Sequence, residues 1–282
     1  MKKAKAKIPA KLNLTLDVAH AENGYHQLNS IVCSISLYDE LTVKPRKDYA
    51  ITLTEKGLKS GCAIEKNNAY KTAEKLSVLY GAFGADITIN KHIFVGGGLG
   101  GSSADIAGVI KCNQQIYGIS DTDALDLANS LGSDSGYMLK GGFSLLEGRG
   151  DKISKIGKLP KTYMLLIENK KEVLAKDVFK TFDKMGKEYP PCSKKLIDVF
   201  MSGNILEFFK NLKNDLTDSA IEYCPEIKTA INSLLKVGAI NALMTGSGPT
   251  VFGIFESKKA RDIAYKKLKS EYKERIVKVH TL

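Results

Sequence analysis

Hydrophobic and polar residues alternate near the start of the chain. Three leucines and three polar residues take turns along 12–17, and a period of two predicts a half-buried β-strand with a polar outer face. The pair Asn23-Gly24 is a favoured two-residue hairpin turn. We therefore expect 31–37 to return as the partner strand.

Longer segments show apolar residues at helical spacing or in short buried runs. The predicted helices cover 68–80, 103–117, 122–131, 195–201, 204–212, 225–235 and 258–270, and the predicted strands cover 41–44, 51–53, 143–146, 163–167, 239–244 and 251–255. Gly118 and Gly132 stand where C′ glycines end helices, and Pro225 suits the first helical position. This mixture, without regular βαβ alternation, predicts an α+β protein.

The length of 282 residues is enough for two domains. The polar stretch 158–161, which contains a proline, is the expected boundary between domains 1–158 and 159–282. The balance of 42 basic and 31 acidic residues leaves a net charge of +11, which favours anionic partners. The lysines are spread over helix surfaces and no aromatic residues are interleaved at RNA-recognition spacing, so we do not expect a nucleic-acid partner.

The five cysteines are widely spaced and include no C-x-x-C pair. This pattern indicates free, buried thiols in a reducing compartment rather than a disulfide framework or a metal site. No window approaches the ~20 apolar residues of a membrane span. Lys11, Asn13 and Asp17 interrupt the apolar core that a signal peptide would need. We therefore expect a cytoplasmic protein without a membrane partner.

The run Gly-Gly-Gly-Leu-Gly-Gly-Ser-Ser at 96–103 is the most informative segment of the chain. It lies between a strand-like segment, 87–93, and a predicted helix. Glycines reach φ > 0 and leave their N–H groups accessible, and a helix start adds unpaired donors and a partial positive charge. The combination is typical of a phosphate-binding loop that suits a nucleotide triphosphate. A flexible glycine connection is the plainer alternative.

The commoner phosphate-binding patterns do not fit this run. A Walker A loop continues from its last glycine into lysine, where this chain has Ser102-Ser103. Gly96, Gly98 and Gly101 satisfy G-x-G-x-x-G only formally, because strand-rich sequence precedes them. The His-Arg-Asp and Asp-Phe-Gly motifs of protein kinases are missing from the sequence. The sequence therefore predicts a strand–loop–helix phosphate site of another kind.

Three other positions carry candidate chemistry. Lys11 and Asn13 lie on the polar face of the first predicted strand, and Asp134 follows the end of a predicted helix. The turn Gly246-Ser247-Gly248 can bring backbone N–H groups close to a substrate group.

These segments stand in a fixed order along the chain: Pro9-Ala10-Lys11, then the loop at 98–103, Asp134, and the turn at 246–248. In this order they resemble the motifs of the GHMP kinases. Matches that narrow the resemblance to the branch acting on a cytidine-diphosphate-linked methylerythritol are Gly24-Tyr25-His26, Asn67, Glu147-Gly148-Arg149-Gly150, Val178-Phe179 and Asn214-Asp215-Leu216.

The resemblance covers nearly the whole chain and implies a fold and a reaction. The fold is the two-domain GHMP kinase fold of the α+β class, with a ribosomal-protein-S5-domain-2-like N-terminal domain and a ferredoxin-like C-terminal domain. The reaction is transfer of the ATP γ-phosphoryl group, with Mg²⁺, to a hydroxyl of the methylerythritol. Asp134 would accept the hydroxyl proton, the alternative being a helix cap. Lys11 would supply a compact positive charge beside it, the alternative being an exposed strand lysine.

The resemblance also implies the residues that bind ATP. They are Gly96, Gly97, Gly98, Leu99, Gly100, Gly101, Ser102, Ser103 and Asn67. Asn67 would contact adenine or ribose, or else cap a helix. One of the two serines, Ser103 in particular, would support the Mg²⁺-bound phosphate, and no carboxylate ligand of the metal can be named.

The implied substrate-binding residues recognise a cytidine diphosphate. Tyr25 and Phe179 would stack on the cytosine ring, although Phe179 alone is more typical of a core. His26 would read the cytosine edge, since a neutral imidazole offers one donor and one acceptor. Arg149 would pair with the diphosphate. The remaining positions are Asn13, Gly246 and Ser247.

The chain departs from the GHMP pattern in several places. Phe94 stands where proline is usual, Ser135-Gly136 follows Asp134 where Val-Pro is usual, and Ala104 replaces a serine. An added glycine leaves more freedom to be lost on ordering. These changes predict a looser loop around Asp134 and a slower enzyme.

Other functions stay open on the sequence alone. One is a GHMP kinase for another small alcohol such as homoserine, mevalonate or a sugar. Others are a dinucleotide-binding oxidoreductase that uses 96–101 and a nucleic-acid-binding module driven by the charge. A monomer and a homodimer are both compatible with the sequence.

Overall fold

The computed structural model describes residues 2–22, 25–82, 84–171 and 173–282, and within them all side chains except those of His20, Glu22, Tyr25 and Glu274. In chain order the strands are β1 (Ala4–Asn13), β2 (Asp17–Glu22), β3 (Tyr25–Pro45), β4 (Ile51–Gly57), β5 (Ala85–Lys91), β6 (Phe143–Gly148), β7 (Lys152–Gly157), β8 (Tyr163–Ile167), β9 (Asn241–Met244), β10 (Val251–Phe255) and β11 (Ile276–His280). The α-helices are α1 (Asn68–Tyr80), α2 (Gly101–Tyr117), α3 (Asp121–Leu131), α4 (Ser135–Lys140), α5 (Ala175–Met185), α6 (Ser193–Met201), α7 (Ile205–Lys210), α8 (Thr217–Tyr223), α9 (Glu226–Lys236) and α10 (Lys258–Tyr272). The α+β class expected from the sequence is confirmed.

The chain divides into two compact units, each discontinuous along the sequence. The first unit contains Met1–Ala10, Leu37–Val95 and Gly100–Gly141, and the second contains Lys11–Ser36, Gly96–Leu99 and Gly142–Leu282. The boundary expected near residue 158 would divide the chain into two continuous domains, and it stays a prediction.

In the first unit, β5 pairs in parallel with β4 and antiparallel with Glu40–Pro45 at the end of β3. Every second residue of β5 is buried, as its alternating sequence predicts. Helix α2 packs close to β3, because a Cβ placed on Gly108 would lie 2.4 Å from Leu41 Cδ1. The small residue lets the helix approach the strand.

In the second unit, β8 and β10 form the centre of a four-stranded antiparallel sheet in the order β11-β8-β10-β9. All five residues of β10 and four of the five in β8 are buried, as their apolar runs predict. Helices α5, α8, α9 and α10 contribute to the hydrophobic core on this sheet. The sequence did not predict α5, α8, β7 and β11, and the strand predicted along 12–17 is wrong in its bounds, because β1 ends at Asn13 and β2 begins at Asp17.

Strand β3 is one continuous strand of 21 residues, where the sequence predicted separate strands at 31–37 and 41–44. Its start pairs with β2 and β6 in the second unit. The turn at Asn23-Gly24 lies outside the described residues, although the strands on either side of it pair in antiparallel fashion. No glycine or proline occurs between Tyr25 and Pro45 to interrupt the strand.

Three residues were predicted to mark helix ends, and two of them differ from the prediction. Gly118 ends α2 in the left-handed conformation, at φ 72°. Gly132 ends α3 with φ −177°, which is extended backbone, so the expected left-handed cap is wrong there. Pro225 is the N-cap of α9 rather than its first residue.

The polar face expected of the first strand is not exposed. Lys11, Asn13, Thr15 and Asp17 are all buried, as are the leucines between them. The alternative of an exposed strand lysine at position 11 is therefore wrong, because both sides of this segment are covered. The five cysteines are free as expected, but the expected burial is wrong for two of them, because Cys62 is exposed and Cys192 is half-buried.

Candidate active site

The glycine loop has an alternating backbone. Gly96, Gly98 and Gly100 have φ of 65°, 73° and 75°, whereas the residues between them do not have positive φ. Alternation of left-handed and ordinary residues turns successive N–H groups toward one side and forms an anion-binding concavity. The left-handed positions of the loop are thus held by glycines, and phosphate binding stays a prediction.

Helix α2 starts directly behind this loop. Its N-cap is Gly100, so no side chain caps the first turn, and the first turn contains no acidic residue. At 17 residues the helix carries a partial positive charge at this end. Such an uncapped helix start attracts anions.

Within the second unit, the loop packs against the second glycine turn. A Cβ on Gly98 would lie 2.4 Å from Thr245 O and 3.1 Å from Gly248 O. A Cβ on Gly246 would likewise lie 3.2 Å from Gly98 O and 3.3 Å from Asn13 Oδ1. Only residues without a side chain allow the two backbones to approach this closely.

Lys11 and Asn13 belong to the same group of residues. Lys11 N donates to Leu99 O at 3.0 Å, and Lys11 Nζ donates to Asn13 Oδ1 at 2.5 Å. Asn13 N donates to Thr245 Oγ1 at 3.0 Å, and Asn13 Nδ2 donates to Ser30 Oγ at 2.7 Å. The end of β1, the glycine loop and the second turn therefore form one hydrogen-bonded group, and the buried ammonium of Lys11 is part of it.

The side chain of Asn214 forms hydrogen bonds with the backbone of the second turn. Its buried Nδ2 donates to Met244 O at 2.9 Å and to Gly246 O at 2.8 Å, and its Oδ1 accepts from Leu216 N at 3.0 Å. Asn214 belongs to the motifs that carry the resemblance, but no role was expected for it from the sequence. The signal was an asparagine in the motif Asn214-Asp215-Leu216, since a carboxamide can donate twice and accept.

The candidate cytidine residues of the second unit form a second group. The rings of His26 and Phe179 stack with centroids 4.9 Å apart and an interplanar angle of 22°. His26 Nδ1 lies 2.7 Å from Ala19 O, and Nε2 lies 3.3 Å from Asp183 Oδ1. Phe179 and Asp183 are four residues apart on α5 and so lie on one face of that helix. The histidine thus contacts both the aromatic ring and a carboxylate that the sequence analysis did not identify.

Three other predicted residues are less fully defined. The side chain of Tyr25 lies outside the described residues. Arg149 is exposed in the turn after β6, and its backbone N–H donates to Asp151 Oδ1 at 3.0 Å. Ser247 is half-buried in the second turn.

In the first unit, Asn67 is the N-cap of α1. Its Oδ1 accepts from Ala69 N at 2.9 Å, and its Nδ2 donates to Glu55 Oε1 at 3.1 Å. The helix cap, one of the two roles considered for this residue, is therefore the role seen in the structure, and contact with ATP stays a prediction. The neighbouring Asn68 donates to Ser102 Oγ at 2.6 Å and links α1 to the start of α2.

Asp134 is the N-cap residue of α4, but its side chain makes no capping hydrogen bond. It is followed by helix rather than by a loose loop. Gly136 is buried, and a Cβ there would lie 2.0 Å from Asn129 Oδ1, so α4 packs closely on α3. This packing argues against the looser loop expected from the replacement of Val-Pro.

Two kinds of feature are absent from the described residues. No group of three or more His, Cys, Asp or Glu is arranged to hold a metal ion. None of the described helices has the length and apolar character needed to cross a membrane.

A strand, glycine loop and helix, joined to a C-terminal glycine turn, are features of a GHMP kinase, and comparison with known proteins bears this class out. The family model for the GHMP kinases N terminal domain matches residues 67–144, and the model for the GHMP kinases C terminal region matches 196–274. The two matches include the glycine loop, Asp134 and the second glycine turn, whereas the motifs at 9–11, 24–26, 147–150 and 178–179 lie outside both.

Two curated relatives that match nearly the full length have the same name. The chain is 34% identical over 94% of its length to the 4-diphosphocytidyl-2-C-methyl-D-erythritol kinase of Clostridium kluyveri, covering 95% of that protein. It is 33% identical to the corresponding kinase of Syntrophomonas wolfei, with 95% of each chain covered. The chain belongs to the 4-diphosphocytidyl-2-C-methyl-D-erythritol kinase family.

Solved structures agree with this assignment. The crystal structure of a 4-(cytidine 5'-diphospho)-2C-methyl-D-erythritol kinase superposes with a TM-score of 0.80 and 26% identity, covering 98% of each chain. The homoserine kinase of Cytophaga hutchinsonii has a TM-score of 0.72 at 19% identity, covering 100% of this chain and 95% of the other, and shows the shared fold alone.

Proposed function

We propose that this protein phosphorylates the 2-hydroxyl of 4-diphosphocytidyl-2-C-methyl-D-erythritol with ATP, as a step of the non-mevalonate isoprenoid pathway. The observation that carries the proposal is the hydrogen-bonded group in the second unit, in which Lys11 and Asn13 join the phosphate loop to the Thr245–Gly248 turn. The full-length similarity to kinases of this substrate supports the choice of acceptor.

The glycine loop is proposed to bind the ATP phosphates through residues 96–103. The alternating positive φ at Gly96, Gly98 and Gly100 and the uncapped start of α2 supply N–H donors without side-chain obstruction. The hydroxyls of Ser102 and Ser103 add donors at the first turn of α2. Asn67 is retained as a candidate for the adenosine end, beside its role as a cap.

Asp134 and Lys11 are proposed as the catalytic residues. Phosphoryl transfer depends mainly on positioning and on charge stabilisation. The Asp134 carboxylate would accept the proton of the substrate hydroxyl as oxygen attacks the γ-phosphorus. The ammonium of Lys11 would stabilise negative charge on the transferred group. The role of Lys11 is supported by its burial and by the hydrogen bond from its backbone N–H to the glycine loop.

The cytidine diphosphate is proposed to bind in the second unit. Tyr25 and Phe179 would stack on the cytosine, and His26 would bond its edge. Asn13, Arg149, Gly246 and Ser247 would contact the diphosphate and the methylerythritol. The support is that His26 and Phe179 already lie against each other and that a backbone carbonyl orients the imidazole.

Mg²⁺ is proposed to arrive bound to the ATP phosphates. It prefers phosphate oxygens and water and often needs only one or two protein ligands. The described residues fit this mode, because Ser103 offers a hydroxyl oxygen at the start of α2 and no acidic cluster competes for the ion. When bound, the ion would neutralise charge on the phosphates.

The remaining proposals concern the setting of the enzyme. We propose a cytoplasmic protein that acts on small molecules as a monomer or a homodimer, without a nucleic-acid or membrane partner. The free cysteines and the spread of the lysines over helix surfaces support this view.

An ADP-release assay tests the proposed function. The acceptor panel contains diphosphocytidyl-methylerythritol, mevalonate, homoserine and galactose. We expect turnover of the cytidyl acceptor to exceed the others at least 100-fold, and Asp134→Asn to lose at least 100-fold in kcat. Asp126→Asn, which removes an exposed carboxylate from α3, is the control and should keep full activity. Turnover of another alcohol would reassign the substrate, and an active Asp134→Asn variant would remove Asp134 from its role.

A further inference from the structure

Three charged side chains are buried together at the base of the glycine loop, in the first unit. They are Asp39 on β3, Lys91 at the end of β5 and Asp105 near the start of α2. Lys91 Nζ lies 2.8 Å from Asp39 Oδ2 and 2.6 Å from Asp105 Oδ2, and no side chain of the three is more than 4% exposed. None of these residues was singled out as a site residue from the sequence.

Asp39 also holds the backbone where the loop begins. Its Oδ1 accepts from His92 N at 2.7 Å and from Ile93 N at 2.8 Å. These are the first two residues after β5. Asp105 lies in the second turn of α2, just after the loop ends. The three side chains therefore join the chain entering the loop to the chain leaving it.

Burying these side chains together costs free energy in the folded state. Moving a charge from water to the interior costs several kcal/mol per ion, and well-packed apolar side chains often replace a buried ion pair without loss of stability. The group contains two carboxyl groups for one ammonium, and Asp105 Oδ1 has no hydrogen-bond partner among the described residues. Stability alone therefore does not account for these residues, whereas directional bonds at fixed positions do.

A glycine loop needs fixed ends more than other loops do. Gly96, Gly97, Gly98 and Gly100 lose more backbone entropy on ordering than other residues. If the ends move apart, the N–H groups no longer point to one place, and a bound anion must supply the ordering free energy.

We propose that Asp39, Lys91 and Asp105 are positioning residues that hold the two ends of the glycine loop at the separation that ATP binding requires. The proposal rests on the assignment of this loop to the ATP phosphates. The three residues act on ATP through the loop and do not themselves contact it.

Asp105→Ala is the variant that tests this. It cuts the link to α2 but leaves Lys91 and Asp39 as a neutral pair, so folding should persist. Asp105→Asn is the conservative variant, because its carbonyl oxygen can still accept from Lys91 Nζ. Leu127→Ala, at a buried position of α3 in the same unit, is the control for a general loss of stability.

Two readouts separate the inference from the proposed function. We expect Asp105→Ala to speed hydrogen exchange of the loop amides at least tenfold in the free enzyme and to raise the KM for ATP about tenfold, with the KM for the acceptor unchanged. Asp105→Asn should stay within threefold of the wild type in both measurements. Leu127→Ala should lower the Tm but change neither the hydrogen exchange of the loop amides nor the KM for ATP.

If Asp105→Ala leaves hydrogen exchange of the loop amides unchanged, the inference is wrong, even if the KM for ATP rises. Equal effects of Asp105→Ala and Leu127→Ala on loop exchange would overturn it too, since the role would then be structural only. Faster hydrogen exchange with an unchanged KM for ATP would support the positioning of the loop by Asp105. It would contradict the assignment of the loop as the ATP site, which belongs to the proposed function.

Discussion

His26 Nε2 lies 3.3 Å from Asp183 Oδ1. The other ring nitrogen, Nδ1, lies 2.7 Å from Ala19 O, and a carbonyl oxygen can only accept, so Nδ1 carries a proton. The ring is thereby held in one orientation, with its face on Phe179 and its Nε2 edge directed to the carboxylate. An incoming cytosine that bonds Nε2 would have to take the place of Asp183.

His26→Phe tests this reading of cytidine recognition. Phenylalanine keeps the stacking on Phe179 but removes both nitrogens. We expect the KM for the cytidyl acceptor to rise about 10- to 100-fold, which corresponds to about 1.4–2.7 kcal/mol, while the KM for ATP stays within twofold. Steady-state kinetics with each substrate varied in turn measures both. Asp183→Asn is the companion variant and should change the acceptor KM less than His26→Phe does. Equal acceptor KM values for His26→Phe and the wild type would remove His26 from recognition.

The close approach of Gly98 to the second glycine turn gives another prediction. A Cβ at Gly98 would lie 2.4 Å from Thr245 O, whereas a Cβ at Gly96 would have no atom within 4 Å. Both residues have positive φ, so alanine at either position carries a similar backbone cost of roughly 1–2 kcal/mol. We expect Gly98→Ala to raise the KM for ATP at least ten times more than Gly96→Ala does. Similar KM values in the two variants would show that the contact with the turn does not matter for binding.

Several elements follow directly from local pattern. The ends of α1, β8 and β10 were predicted to the residue, because apolar runs and caps mark them within the sequence itself. The single long β3 was predicted in pieces, since its two parts are paired with different strands and its polar residues at 38–40 look like a break. Helix α5 was missed because its residues are mostly polar, and its apolar positions become a pattern only against the core that they face.

The candidate site shows the same division. The loop at 96–103 could be predicted from its glycines alone. The burial of Lys11 and Asn13 could not, because Thr245, which covers Asn13, is 232 residues away in the chain. The buried group around Lys91 could not be predicted either, since its carboxylates come from segments 52 residues before it and 14 residues after it.

Lys11 and Lys7 provide a test of charge at the proposed catalytic centre. Both lysines lie on β1, but Lys11 is buried and bonded to Asn13, whereas Lys7 is exposed and pairs with Glu40 at 3.3 Å. We expect Lys11→Met to lower kcat by about 10²–10³, or roughly 2.7–4 kcal/mol of transition-state stabilisation. Lys7→Met should keep kcat within twofold. Single-turnover assays with saturating substrates measure the step directly, and a Lys11→Met variant as fast as Lys7→Met would contradict the proposed role.

The stability of the protein should depend on pH through Asp105. Burial raises the pKa of the Asp105 carboxyl from 3.8 to about 7, against the opposing effect of Lys91, and the nearby charges of Asp39 and Glu55 add to the rise. The folded state therefore binds this proton more tightly than the unfolded state does. Between about pH 4 and pH 7 the folded protein keeps a proton that the unfolded chain has lost, so this contribution to stability is present at low pH and disappears as the pH rises.

Asp105→Asn cannot titrate at this position, while Asp39, Glu55 and Lys91 remain in place. We therefore expect the free energy of unfolding of the wild type, minus that of Asp105→Asn, to fall between pH 5 and pH 7 by up to about 1.4 kcal/mol per pH unit. Above pH 7 the difference should level off, because Asp105 is then ionised in both states. Urea unfolding of both proteins at pH 5, 6, 7 and 8 measures it. A difference that stays constant or grows with pH would mean that the folded protein does not hold Asp105 in its protonated form.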